Sequence, residues 1–165
     1  MFIKNKTKIL TLTIVILTLL FLTGCIGTST DETQITQIAK NIEKAIKDKD
    51  ADLFMENISY NYSDDDGGTY DNHINNLPED LISKVELVEE LLDPIPFLKV
   101  VTDVTLSNLI ITDPYATGKM KITISLKLCV IGCISYPGTD KENIKYNIDF
   151  QKEDDEWKIV FLNEN

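Results

Sequence analysis

Beyond residue 30, apolar side chains recur every three or four residues in the first half of the chain and every second residue in its last third. The first spacing is typical of amphipathic helices, and the second of half-buried strands. Helices are therefore predicted for Asp31–Lys49, for Ala51 to about Ile58 and for Pro78–Leu92. Strands are predicted for Leu98–Thr112, Ala116–Ile131, Asn143–Lys152 and Trp157–Asn163.

The second predicted strand alternates without interruption. Met120, Ile122 and Ile124 point to one face, whereas Lys119 and Lys121 point to the other. One apolar face and one polar face are typical of an antiparallel sheet that packs on helices. Helices followed by strands indicate an α+β fold, here with about three helices packed on an antiparallel sheet of about four strands.

The first 24 residues have the three parts of a secretory signal. Lys4, Lys6 and Lys8 form a basic start, Ile9–Leu22 is apolar apart from threonines, and the small Gly24 precedes the predicted cleavage site. A membrane-spanning helix needs about 20 apolar residues, and this run is shorter. The segment is therefore predicted to direct export and to be removed.

The tetrapeptide Leu22-Thr23-Gly24-Cys25 resembles the lipobox of prokaryotic lipoproteins. The resemblance implies that the Cys25 thiol receives a diacylglyceryl group and that the signal is cut just before it. Two acyl chains anchor a protein stably. The expected organisation is a removed signal peptide (residues 1–24), a lipidated cysteine with a short tether (25–30) and one domain (31–165). The expected location is the extracytoplasmic face of the cell membrane, with the lipid on Cys25 as the membrane contact.

Removal of residues 1–24 leaves 13 basic and 27 acidic residues, a formal charge of −14. Such a surface repels phosphate backbones, so no nucleic-acid partner is expected. Anionic lipid headgroups are repelled as well, which favours a domain that stands off the membrane on its tether. Solubility alone also accounts for the acidity.

Two further cysteines, Cys129 and Cys133, are separated by Val-Ile-Gly. Thiols outside the cytoplasm tend to pair. In a straight strand these two would be about 13 Å apart, whereas a disulfide needs Cα atoms within about 7 Å. A local disulfide thus requires the chain to reverse at Ile131-Gly132. Two separate thiols and a metal site are the alternatives, in that order.

The polar segment 59–73 offers the best candidate pocket, formed by Tyr60, Tyr62, Tyr70, Asp71 and His73. Asp71 or His73 would act as a general base if buried beside a substrate. The alternative is that the tyrosines only cover the helix layer. The run Asp64-Asp65-Asp66-Gly67-Gly68 lacks the ligand spacing of an EF-hand loop. No catalytic residue, metal ion or cofactor is predicted.

Three segments carry a resemblance to the nuclear transport factor 2-like (SnoaL-like, cystatin-like) superfamily: KDKDADL at 47–53, ISYNYSDDDGGTY at 58–70 and FQKEDDEWKI at 150–159. Each is similar to segments of exported members. The resemblance covers most of residues 31–163 and implies a cone of helices wrapped by a strongly curved sheet, often around a pocket. It also implies that a homodimer is possible, because sheets of this fold often pair.

The superfamily contains enzymes and non-catalytic binding modules, so the fold does not assign a function. The primary hypothesis is a membrane-anchored, non-catalytic binding or accessory domain with an unknown protein or small-molecule partner. The alternative is a small isomerase or hydrolyase that uses a pocket inside the cone.

Overall fold

The computed structural model describes residues 31–65, 67–72, 74–92, 95–135 and 142–165. Within these ranges all helices precede all strands. The helices are α1 (Asp31–Asp48), α2 (Ala51–Met55) and α3 (Leu77–Leu92), with a short 3-10 helix (Ile74–Asn76) just before α3. The strands are β1 (Leu98–Thr112), β2 (Tyr115–Cys129), β3 (Cys133–Ser135), β4 (Glu142–Glu153) and β5 (Glu156–Glu164).

Helix α1 packs its predicted apolar stripe against the sheet. Every member of that stripe is buried: Ile35, Ile38, Ala39, Ile42, Ala45 and Ile46. After α1 the chain turns at Lys49, and Asp50 caps α2 by accepting a hydrogen bond from the Leu53 backbone N–H at 2.9 Å. A side-chain cap of this kind satisfies one of the free N–H groups of a helix start. None of the described helices combines the length and apolar character needed to cross a membrane.

Helix α2 is shorter than predicted. It ends at Met55 instead of about Ile58 because the next residues pair with β5. The Ser59 N–H donates to the Ile159 carbonyl at 2.8 Å, and the Ile159 N–H donates to the Asn57 carbonyl at 2.9 Å. These bonds use backbone groups that a longer helix would have needed.

The strands form one antiparallel sheet in the order β1-β2-β4-β5. Strand β3 was not predicted. It arises because the chain reverses after Cys129 and returns beside the end of β2, where Cys129 lies opposite Cys133. β-bulges interrupt the register in β1 and in β5, and a bulge bends the strand that contains it. The sheet therefore has five strands where about four were predicted.

The inner face of the sheet is filled by the chain's own side chains. Met120 and Ile122 of β2, Phe150 of β4 and Ile159 of β5 are almost fully buried with Phe54 of α2. This is the alternation predicted from the sequence, and it confirms the inward face. Little room for a ligand remains at the centre of the sheet, so open space lies toward its ends.

Candidate functional site

One cavity of about 480 Å³ opens where the start of α3 meets the ends of β4 and β5. We call it the Tyr146 cavity. Its aromatic and apolar lining consists of Tyr62, Ile74, Leu77, Tyr146 and Leu162. Its polar lining consists of Asp64, Asp65, Asn76, Asp80, Asn163 and Glu164. A concave site of this size, with apolar walls and several polar groups, has the dimensions of a small-molecule pocket.

Local structure brings these distant residues together. Tyr146 belongs to the inward alternation of β4, and its register partner on β5 is Glu164. The segment around Tyr62 runs beside β5, because Ser63 donates its N–H to the Val160 carbonyl at 3.1 Å. Asp80 lies in the first turn of α3. Three parts of the chain that are far apart in sequence therefore share one opening.

The Tyr62 ring is buried, with 4% of its surface exposed. Its hydroxyl donates a long hydrogen bond of 3.4 Å to the Leu162 carbonyl. Burial, with a smaller effect of the nearby Asp64 carboxylate, raises the pKa of Tyr62 to about 12. Burial disfavours the phenolate because a charge loses its hydration there. Tyr62 is therefore a neutral group in the cavity wall.

Tyr146 is buried to the same degree, with 5% of its surface exposed. Burial, reinforced by the negative charge of Glu164, raises the pKa of this tyrosine well above its ordinary value. Across the described residues, no side chain or backbone group forms a hydrogen bond with its hydroxyl. Among the described residues, Gln34 Oε1 is the one fully enclosed side-chain polar atom that lacks a hydrogen-bond partner. The Tyr146 hydroxyl also lacks a partner, so it cannot be fully enclosed, and it faces the cavity that Tyr146 lines.

Four carboxylates line the same cavity as this hydroxyl. Asp65 accepts a hydrogen bond from Asn163 Nδ2 at 2.6 Å, and Asp64 accepts one from the Gly68 N–H at 2.7 Å. Asp80 and Glu164 complete the set of four acids, and no lysine or arginine lies among the described residues that line the cavity. The positive end of the α3 dipole points toward this region, but the acidic side chains of its first turn oppose it. The cavity therefore has a negative potential.

A second depression, of about 520 Å³, lies between α2 with the residues that follow it and the β4–β5 turn. We call it the Tyr60 depression. Tyr60 and Tyr70 contact each other there with ring centroids 4.5 Å apart, and Tyr60 is 83% exposed. Glu153 accepts hydrogen bonds from Ser59 Oγ at 2.7 Å and Asn61 Nδ2 at 3.3 Å. The Glu153 carboxylate is thus already hydrogen-bonded by its neighbours, and Lys158 adds a positive charge to the lining.

The five candidate pocket residues are not all brought together. Tyr62 lines the Tyr146 cavity, whereas Tyr60 and Tyr70 line the Tyr60 depression. Asp71 lies on an exposed turn, and His73 lies outside the described residues, as do residues 1–30 with Cys25. The sequence analysis missed Tyr146, Asp80 and Glu164. A signal for Tyr146 existed, because it places a hydroxyl within the otherwise apolar series Ile144, Ile148 and Phe150.

Cys129 and Cys133 form a disulfide in the structure, with Cα atoms 4.1 Å apart. The reversal occurs at Val130–Gly132, and Gly132 adopts φ of 89°, which a residue without Cβ tolerates best. The described residues contain no group of three potential ligands arranged to hold a metal ion. Asp66 of the acidic run lies outside the described residues.

No protein-family model and no curated protein matches this chain. Solved structures do match. A five-substitution variant of Rd1NTF2_05 is 12% identical, with a TM-score of 0.56, over 82% of this chain and 100% of that chain. Kfla4162 from Kribbella flavida is 12% identical, with a TM-score of 0.52, over 82% and 89%.

An NTF2-like protein with a cystatin-like fold from Novosphingobium aromaticivorans is 13% identical, with a TM-score of 0.51, over 81% of this chain and 80% of that chain. At such identities the likeness shows the fold alone. The chain therefore has the NTF2-like α+β fold, with helices on one face of an open antiparallel sheet, and the predicted fold class is confirmed.

Proposed function

We propose that this chain is an exported lipoprotein, held by a lipid on Cys25 at the extracytoplasmic face of a prokaryotic cell membrane. Its NTF2-like domain acts there as a binding or accessory domain, and its ligand site is the Tyr146 cavity. The Leu22–Cys25 motif directly after an apolar run supports the anchor. The observation that supports the binding role is the buried Tyr146 hydroxyl, which meets an open cavity.

The packing of the domain favours this location for the ligand. Side chains of the helices and of β2, β4 and β5 fill the inner face of the sheet. A ligand therefore gains a concave surface at the Tyr146 cavity without disturbing the core. Because interiors are packed as densely as organic crystals, opening a new site at the centre would cost far more.

The anchor is tested by growing cells that express the full chain with an alkyne-tagged fatty acid and detecting the label on the protein. The wild-type chain should be labelled and should sediment with membranes. The Cys25→Ala variant should lose the label and should also keep residues 1–24, because the cut is made just before the lipidated cysteine. The double variant Cys129→Ala with Cys133→Ala is the matched control, because it removes two other thiols and should keep the label. Labelling of the Cys25→Ala variant would contradict the anchor.

The binding role is tested by native mass spectrometry of the full chain released from membranes in a mild detergent. A small molecule that copurifies with the wild-type protein and is lost from a Leu77→Trp variant, which fills the cavity, would support it. A Leu87→Trp variant is the control, because Leu87 is 61% exposed on the same helix. A ligand that is recovered chemically altered after incubation would favour the isomerase or hydrolyase alternative. Identical spectra for both variants would contradict a ligand in the cavity.

A further inference from the structure

The Tyr146 cavity is strongly negative for its size. Four carboxyl groups line it, and the described lining residues include no cationic side chain. An anionic ligand would be repelled by all four carboxylates. A ligand with positive charge is attracted by the same field, and the attraction is strengthened because the walls exclude part of the water.

The geometry argues against a bare metal ion. No three carboxylates among the described residues converge on one point, and a cavity of about 480 Å³ is many times larger than a metal ion. Hard cations require several oxygens at about 2.0–2.6 Å. Negative charge that is spread around an opening instead suits a ligand whose positive charge is carried on an organic chain.

The floor of the cavity supplies contacts for such a chain. Ile74, Leu77 and Leu162 offer apolar surface to methylene groups. The hydroxyl of Tyr146 has no hydrogen-bond partner among the described residues, and a neutral phenol oxygen accepts from an ammonium N–H.

We infer that the Tyr146 cavity binds an aliphatic amine or diamine, with its ammonium group at the Tyr146 hydroxyl and the surrounding carboxylates and its methylene chain on the apolar floor. This inference rests on the proposed binding function and names the chemical class of the ligand. The expected source is a free small amine, because the cavity has the size of a small-molecule pocket.

The test uses three probes of similar length: cadaverine with two positive charges, pentanediol with none and glutarate with two negative charges. Each is titrated calorimetrically into the full chain in neutral detergent. Cadaverine should bind, and the other two should bind at least about tenfold more weakly, a difference of about 1.4 kcal/mol. Raising the ionic strength should weaken cadaverine binding, because salt screens the carboxylates.

Paired variants locate the binding. Asp80→Asn should weaken cadaverine about fivefold, as expected for one partly exposed charge. Glu79→Gln, the adjacent acid of the same helical turn, does not line the cavity and should change the affinity less than about twofold. Tyr146→Phe should also weaken binding about fivefold, for one lost hydrogen bond, whereas Tyr60→Phe should leave it unchanged.

The outcomes separate the ligand class from the binding function. If pentanediol or glutarate binds as tightly as cadaverine, or Glu79→Gln weakens binding as much as Asp80→Asn, the amine inference is overturned. If none of the probes binds while the native protein retains another ligand in this cavity, the inference fails and the proposed function stands. If no probe binds and no ligand copurifies, both fail.

Discussion

The Tyr146 cavity and the Tyr60 depression each contain two tyrosines beside several carboxylates, and the lining of the depression also includes Lys158. They differ in burial and in hydrogen bonding. In the depression the tyrosine rings contact each other near the surface, and Glu153 is occupied by Ser59 and Asn61. In the cavity both rings are buried, and the Tyr146 hydroxyl has no partner among the described residues.

Tyrosines beside carboxylates do not by themselves make a binding site, because the bonds that these groups already form also matter. A polar group that its neighbours already satisfy must give up those bonds to hold a ligand, so little free energy is gained. A hydroxyl that faces a cavity and has no partner within the protein can bond a ligand without breaking a bond of the fold. Substitutions in the two regions should therefore have unequal effects on stability.

The largest difference concerns removal of the rings. Tyr146→Ala should lower the free energy of unfolding by about 3 kcal/mol or more, because a large buried ring leaves a cavity. Tyr60→Ala should lower it by less than about 0.5 kcal/mol, because that ring is mostly exposed. Urea unfolding followed by the fluorescence of the buried Trp157 measures both. Equal losses of unfolding free energy in the two variants would show that Tyr146 and Tyr60 are buried to the same extent.

The next effect is a loss of stability at alkaline pH. The pKa of Tyr62 is raised from 10.0 to about 12, so both folded and unfolded states are neutral there below pH 10. Above pH 10 the Tyr62 phenol ionises first in the unfolded chain, and this tyrosine alone should account for a loss of about 2 kcal/mol of stability by pH 12. Tyr146, whose pKa is also raised by burial, adds to the loss. Tyr62→Phe should reduce this loss, as measured by urea unfolding across that range.

An Asp64→Asn variant serves as the control for this pH effect. It removes a nearby negative charge, which is the smaller cause of the raised pKa, and leaves the burial of the ring in place. Most of the alkaline loss should therefore remain. If Tyr62→Phe shows the same pH dependence as the wild type, Tyr62 is not the group responsible.

A smaller loss of stability is expected when Ser59, which lines the Tyr60 depression, is substituted. Ser59 is 1% exposed, donates to Glu153 and accepts a hydrogen bond from the Asn61 N–H at 2.9 Å. Ser59→Ala should lower the free energy of unfolding by about 1 kcal/mol, because it leaves those partners unsatisfied. Ser63→Ala, at an exposed position of the same segment, is the control and should change little. No loss in Ser59→Ala would mean that the depression is not held by these bonds.

The smallest effect should come from Tyr146→Phe. The hydroxyl has no partner in the described part of the chain, so its removal should change the free energy of unfolding by less than about 0.5 kcal/mol. The same urea titration measures it. A loss above about 1 kcal/mol would indicate that the hydroxyl is bonded within the protein, and the distinction between cavity and depression would then disappear.

Most of the fold follows from local periodicity. The helix stripe of α1 and the alternation of β2, β4 and β5 are properties of neighbouring residues, so the sequence reveals them. The early end of α2 and the extra strand β3 depend on pairing with distant strands, which periodicity does not report. The sequence indicated that Cys129 and Cys133 would need a chain reversal to pair, and the reversal is present.

The site was less predictable. Tyr62 was selected because it lies in a polar segment with other tyrosines, but its neighbours in space are Tyr146 and Leu162, about 80–100 positions away in the chain. Tyr146 fits the inward alternation of β4 so well that its pattern marks it as core. Whether a buried tyrosine hydroxyl has a hydrogen-bond partner depends on tertiary contacts, and the local sequence does not reveal these contacts.

The contacts of Asp31 bear on how the domain would be presented. Its carboxylate accepts hydrogen bonds from Lys152 Nζ at 2.8 Å and Trp157 Nε1 at 3.0 Å, which fixes the start of α1 at the β4–β5 turn. Lys152 lies six positions after Tyr146 in β4, a rise of about 20 Å. If the proposed anchor on Cys25 precedes α1, the cavity therefore lies about 20 Å along the sheet from the point where the tether joins the domain.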